Sequence, residues 1–246
     1  MIKDISKSVQ TYFKAIKIIN ELKLWKFFLI PIIIGLSLGL LFISSAYGLS
    51  DNLGDYVANF WPFEFGKSFV TGLSSWIAGF IILILGIIIY KHILMALSAP
   101  FMTPVSEKVE VYLTGKPMVK SASKKDFISQ LMRSIRLNSR NLLKELAITL
   151  PLMLLSLIPV INLFAIVLIF YYQSYYTGFG NMDYTLERHL NYKESKQFVK
   201  KNKGLAIGNG AVFTAMLLIP FVGIMLTLPI ATVASTIDTV ERLKAF

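Results

Sequence analysis

Apolar and polar positions follow three different spacings along this chain. Two runs are apolar throughout and carry no charge: 27–49, with 23 residues, and 69–90, with 22. Roughly 20 apolar residues in a helix cross a hydrocarbon core of about 30 Å, so each run predicts a membrane-crossing helix with some tilt. Residues 2–19 follow a second spacing, with Ile2, Ile5, Val9, Phe13, Ile16 and Ile19 three and four apart and Lys3, Lys7, Lys14 and Lys17 elsewhere. That is the pattern of an amphipathic helix lying in the membrane interface, with lysines among the headgroups. A short hinge, 20–26, joins it to the first run, and Trp25 stands at the headgroup level.

The stretch 69–115 changes character at Lys91 and His92. Beyond them come Pro100, Pro104, Glu107 and Glu110, then a stop at Gly115 and Pro117. Lys91 reads as a lysine snorkelling toward the interface, in preference to a buried cation on a solute pathway. A second amphipathic helix begins near Phe127, sets Phe127, Leu131, Ile135 and Leu142 against Arg133, Arg136 and Arg140, and runs directly into apolar sequence.

The third pattern occurs twice. Segments 142–177 and 205–239 each consist of an apolar arm, an uncharged Ile-Pro break (Ile158-Pro159, Ile219-Pro220) and another apolar arm. The arm 142–157 is about 24 Å long as a helix, short of the hydrocarbon thickness. Both segments read as helical hairpins that enter from one side and turn within the membrane, or else as pairs of short complete spans. The expected fold is an all-α integral membrane protein: two long transmembrane helices, two Pro-broken and partly penetrating hairpins, and amphipathic interfacial helices. One membrane domain, 1–246, divides into interfacial helix and hinge (1–26), first span (27–49), second span (69–99), amphipathic segment (100–141), hairpin (142–177), connection (178–204) and second hairpin (205–240).

Composition supports this reading. Apolar residues make up 55% and charged residues 16%, too apolar for a soluble core of 246 residues to absorb. Charge then orients the chain: net +4 over 1–26, −2 over 50–68, +6 over 100–144 and +3 over 178–204. The positive-inside rule places the N-terminus and both hairpin connections in the cytoplasm, and 50–68 outside with an aromatic belt of Phe60, Trp61, Phe63, Phe65 and Trp76. The overall +11 suits anionic headgroups or an anionic solute rather than nucleic acid. No cleavable signal sequence is expected at 1–26.

Cysteine is absent and histidine occurs twice, so thiol chemistry is excluded and no metal centre or cofactor is expected. Neither a phosphate-binding glycine loop nor a hydrolase motif is present. The apolar stretches read as free of carboxylates at membrane depth, which favours a channel-like, downhill route for an anion. The residues 23–26 (Lys23, Leu24, Trp25, Lys26) combine lysines with a helix N-terminus, suited to an oxyanion, or serve as an interfacial anchor. Glu107, Glu110, Arg133 and Arg136 form either an ion-pair network beside a pathway or a solvated face. Asn162, Gln173 and Asn209 are the polar groups within the hairpins, better suited to tying helices together than to lining a path.

Several stretches, taken in order, resemble one family. They are Phe27-Phe28-Leu29-Ile30-Pro31; Leu97-Ser98-Ala99-Pro100-Phe101 with Glu107-Lys108-Val109-Glu110 and Leu113-Thr114-Gly115; Asp183-Tyr184 with Arg188; and the run from Gly204 to Gly210 followed by Ile219-Pro220. The chain resembles the CysZ-type sulfate permeases and the related etoposide-induced protein 2.4 family. The resemblance implies an inner-membrane sulfate permease feeding cysteine synthesis, oligomeric, with two long spans and two partly penetrating hairpins. It also implies a sulfate site in a Gly-Leu-Arg-Arg-type loop, whose matching positions are Lys23, Leu24, Trp25 and Lys26. The alternative is a non-transporting, lipid-interacting scaffold of the same family.

Overall fold

The computed structural model describes residues 1–59, 67–116, 124–156, 159–219 and 222–244, and side chains for all of these except 45–59, 67–84, 124–126, 159–160, 222 and 224. The described residues form eight α-helices, one 3-10 turn and no strand. The helices are α1 (Ile2–Glu21), α2 (Leu29–Asn59), α3 (Lys67–Thr114), α4 (Lys124–Leu155), α5 (Pro159–Leu186), α6 (Tyr192–Lys201), α7 (Lys203–Leu217) and α8 (Val222–Leu243), with the 3-10 turn Leu24–Phe27 between α1 and α2.

The helices are longer than their apolar runs. The first span continues as α2 through Asn59, ten residues into the expected outer loop, whose start holds no proline. The second span and the segment after it are one helix of 48 residues, α3, which accommodates Pro100 and Pro104 internally. Likewise α4 joins the amphipathic segment to the first hairpin arm without interruption, across Pro151. Pro159 opens α5 where its missing N–H costs least. The expected aromatic belt Phe60, Trp61, Phe63 and Phe65, the Trp76 side chain, and the break residues Ile158 and Pro220 lie outside the described residues. One short helix that periodicity did not suggest, α6, is set by a capping box: Asn191 accepts from the N–H groups of Lys193 and Glu194, and Glu194 reaches back to the N–H of Asn191.

Among the described residues, two stretches are long and apolar enough to cross a membrane, in the windows Leu24–Ser44 and Leu85–Thr114. The pair α4 and α5 is apolar outside and polar inside. On α4, Ser134, Asn138, Asn141, Glu145 and Thr149 recur at helical spacing and are all buried. The opposite face exposes Ile128, Met132, Leu143, Leu150 and Leu154. On α5, Leu163 and Phe164 are each 71% exposed. So wide an exposed apolar surface belongs against lipid rather than water.

Helix α1 packs on α7 and α8 through Ser8, Thr11, Tyr12, Ala15, Ile18 and Ile19. Gly204 and Gly208 of α7 admit it so closely that a Cβ at either would meet α1 backbone within 3 Å. The stripe Ile2, Phe13 and Ile16 stays exposed. The buried face of α1 is therefore the small, polar-containing one beside the apolar stripe that the sequence made prominent. The main core joins α1, the 3-10 turn, α2, the second half of α3, α7 and α8 around Tyr12, Leu24, Phe28, Met95, Met102 and Phe213. A smaller core lies between α4, α5, α6 and α7 around Leu137, Phe179 and Phe198.

Candidate functional site

The hinge between α1 and α2 is built on one unusual backbone angle. Lys23 ends α1 with φ +50° in the left-handed region, the one non-glycine residue with positive φ among those described. A side chain there costs conformational energy that glycine avoids. The turn Leu24–Phe27 follows, and α2 starts at Leu29. N–H groups opening a 3-10 turn have no carbonyl one turn back; here they belong to Leu24 and Trp25.

The four hinge residues do different jobs. Leu24 is fully buried in the main core and pins the turn. Trp25 donates its indole N–H to Asn20 Oδ1 at 2.8 Å and packs its ring, tilted by 51°, against Phe28 with centroids 5.0 Å apart. Lys23 and Lys26 are exposed. Lys26 Nζ lies 5.5 Å from the centre of the Phe27 ring, and Lys108 of α3 lies 5.2 Å from the same ring. The fold thus adds a third cation from another helix, Lys108, which sequence spacing could not connect to the hinge. The positive end of the α2 dipole adds to the same field.

A second cluster lies inside the protein. Lys91 is fully buried, with Nζ 2.7 Å from Glu145 Oε1 and 3.5 Å from the Gln173 carbonyl. His92 places Nε2 2.9 Å from Glu145 Oε2 and Nδ1 3.3 Å from Asn138 Oδ1. Two expectations are corrected here. Lys91 does not snorkel; helices α4 and α5 cover it, and a carboxylate compensates it. The apolar arm of α4 is not free of carboxylates either, because Glu145 sits on its buried face with no exposure at all. The argument for a downhill route from missing carboxylates therefore falls. The polar spacing 134, 138, 141, 145, 149 was the signal that could have found this cluster.

The proposed network of Glu107, Glu110, Arg133 and Arg136 resolves into separate contacts. Glu110 accepts from Arg188 Nη2 at 2.8 Å and also meets His189. Arg133 donates to both Asp183 oxygens, at 2.7 and 3.1 Å, and to Ser195 and the Leu190 carbonyl. Arg136 stacks over Tyr192 at 5.0 Å, and Glu107 is half-buried. Both ion pairs draw their second member from the end of α5, so Asp183 and Arg188 pair outward to α4 and α3. Burial raises the Asp183 carboxyl pKa although Arg133 pulls it down. Glu187, which accepts from Thr103, is pushed up from 4.5 to about 7, first by burial and then by the nearby Asp183 charge.

Of the polar groups in the hairpins, Asn209 ties three helices: it accepts from Asn181 Nδ2 and donates to the Ala231 carbonyl. Gln173 contributes its carbonyl to Lys91 and Thr177. Asn162 Oδ1 is buried without a hydrogen-bond partner. Among the described residues, no group of three or more carboxylate, imidazole or thiol side chains could hold a metal.

A helical bundle with apolar flanks facing outward and charged side chains folded inward points to a membrane protein that encloses polar groups. Residues 11–227, most of the chain, match the family described as "Sulfate transporter CysZ/Etoposide-induced protein 2.4", and the chain belongs to it. It is 28% identical over 166 residues to the sulfate transporter CysZ of Pseudomonas aeruginosa (strain LESB58), covering 66% of this chain and 67% of that protein. With the CysZ sulfate transporter of Pseudomonas fluorescens (strain Pf-5) it shares 28% identity over 147 residues, 59% of each chain. That of Pseudomonas syringae pv. tomato is 27% identical over 166 residues, 66% of this chain and 65% of the relative.

Proposed function

We propose that the protein is an anion permease of the inner membrane, that sulfate is its solute, and that the anion docks at the hinge on Lys23 and Lys26 with help from Lys108. The observation that carries the reading is the hinge itself, where two exposed lysines and a third from α3 surround a turn leading into the N-terminus of a 31-residue helix. Oxyanions favour such a place, because free N–H groups and the helix dipole add to the ammonium charges. Relatives named sulfate transporters support sulfate as the solute. In the Gly-Leu-Arg-Arg motif both cations occupy the last two positions; here the pair is kept but moved to the first and last, while Trp25 takes a structural bond to Asn20.

In this reading the chain crosses the membrane several times with its N-terminus in the cytoplasm, and the lysine-rich segments face inward. The exposed stripe of α1 lies in the headgroup region, and α4–α5 and α7–α8 are hairpins entering from the cytoplasmic side. A homo-oligomer is expected from the family resemblance.

Uptake of radiolabelled sulfate into proteoliposomes tests the reading. Wild-type uptake above that of protein-free vesicles is expected, with Lys26→Ala lowering apparent affinity about tenfold, the loss of one charge-assisted contact. Lys23→Gly is the sharper variant. It removes a cation while relieving the left-handed strain, so lower uptake without lower stability reports the charge. Uptake equal to that of empty vesicles would overturn the permease and leave the scaffold reading in its place.

A further inference from the structure

With Lys91 as its ammonium, the buried Lys91–His92–Glu145 cluster carries a charge that no other described group balances. Asn138 donates its amide N–H groups to the Ser134 carbonyl and hydroxyl, at 3.0 and 3.1 Å. A carbonyl oxygen can only accept, so the Asn138 amide is fixed with Oδ1 toward His92 Nδ1. That nitrogen must therefore carry a proton. The other ring nitrogen, Nε2, faces Glu145 Oε2 at 2.9 Å, and one proton must lie between them as well. Either His92 is an imidazolium beside a carboxylate, or the imidazole is neutral beside a protonated Glu145. With the Lys91 ammonium, both arrangements total +1.

No other described group offsets that charge. Asp183 and Glu110 are engaged with Arg133 and Arg188. From α5 the cluster meets the Gln173 carbonyl; on α4 the buried Asn141 and Thr149 stand one turn either side of Glu145, and Arg140 donates to Asn141 at 3.2 Å. The described side chains of α2 carry no charge, and Asp238 and Glu241 of α8 are bound to Thr11 and Lys7 of α1. Thr149, one turn beyond Glu145 on the same face, has a buried hydroxyl without a hydrogen-bond partner. A buried, net-positive cluster with an unpartnered hydroxyl beside it is expensive unless an anion shares it.

We propose that Lys91 and His92 form an internal station for a small inorganic oxyanion, in which the Glu145 carboxylate is the resident ligand that the solute displaces. The inference deepens the permease reading and rests on it. Lys91 and His92 grip the two oxygens of a carboxylate, and the same two donors can grip two oxygens of a tetrahedral dianion. Occupancy by a dianion takes the cluster from +1 to −1, equal in size and opposite in sign. Neither state is strongly favoured, as a site of transit requires. The half-buried Arg140 and the buried Asn141, which also bonds the Tyr176 carbonyl, lead from the surface of α4 toward it.

Equilibrium dialysis of labelled sulfate against the purified full chain in detergent tests this. In the double variant Lys23→Ala/Lys26→Ala, which leaves the hinge only Lys108, a sulfate-binding site should remain. Adding Glu145→Gln removes the resident competitor and should tighten binding at least tenfold, a gain that a folding defect cannot mimic; Lys91→Met should abolish it. No binding in the double variant, with the cluster intact, overturns the station whether or not Glu145→Gln folds. Unchanged affinity in folded Glu145→Gln overturns it too. The permease reading fails by a different result, wild-type vesicles that take up no sulfate.

Discussion

Arg133 and Asp183 show how single residues here hold charge away from water. Arg133 reaches across from α4 to a carboxylate that is almost wholly buried, and Ser195 and the Leu190 carbonyl take its remaining N–H groups. Arg133→Ala would strand the Asp183 charge, and a loss of about 3 kcal/mol is expected from thermal unfolding in detergent. The double change Arg133→Met/Asp183→Leu should recover much of it. Without Arg133 the Asp183 carboxyl pKa rises further, so the single variant should suffer more at pH 8 than at pH 5. Glu187 gives a related pH dependence in the native chain. Its folded pKa of about 7 exceeds the usual 4.5, so the folded state holds its proton more tightly than the unfolded one. The resulting stabilisation is complete below pH 4.5 and is lost as pH rises through about 7. Glu187→Gln should flatten this slope by on the order of 2 kcal/mol, after allowance for partial exposure; an unchanged profile of melting temperature against pH would contradict the assignment.

At the scale of elements, the tightest contact is the crossing of α5 and α7. A Cβ at Gly178 would stand 1.8 Å from the Ala206 carbonyl oxygen, and one at Gly210 1.8 Å from that of Ser174. Backbone meets backbone at two points, an arrangement only small residues permit in a helical membrane protein. Gly210→Ala should therefore force the helices apart and cost about 2 kcal/mol or more, measured as a lower melting temperature, with Gly178→Ala similar. The helices other than α6 were legible from apolar spacing; their ends were less so. Pro151 and Pro229 do not stop α4 and α8, and the onset of the expected outer loop is helical. Tertiary packing carries a helix through positions that local propensity would mark as breaks. The polar stripe of α4 was visible in the sequence as well. It was overshadowed by the arginines and leucines beside it, because one chain read alone does not say which face of a helix is turned inward.

For the whole molecule, the usual arrangement of a soluble protein is reversed on α4 and α5, while the functional reading rests on the hinge. The hinge lysines, the buried Glu145 and the α5 ion pairs come from segments far apart in sequence. Lys91 and Glu145 are joined across α3 and α4, and Glu110 and Arg188 across α3 and the end of α5. Pairing of this kind cannot be read from spacing, since it depends on how the helices are laid together. The hinge was findable because its residues are consecutive; Lys108 was not, because it arrives from α3. Helix α3 also sets a dimension for the protein. At 48 residues it measures about 72 Å along its axis, while a bilayer's hydrocarbon takes up roughly 30 Å. A helix set upright would leave about 40 Å beyond the hydrocarbon, and the second half of α3 is packed into the main core along its length.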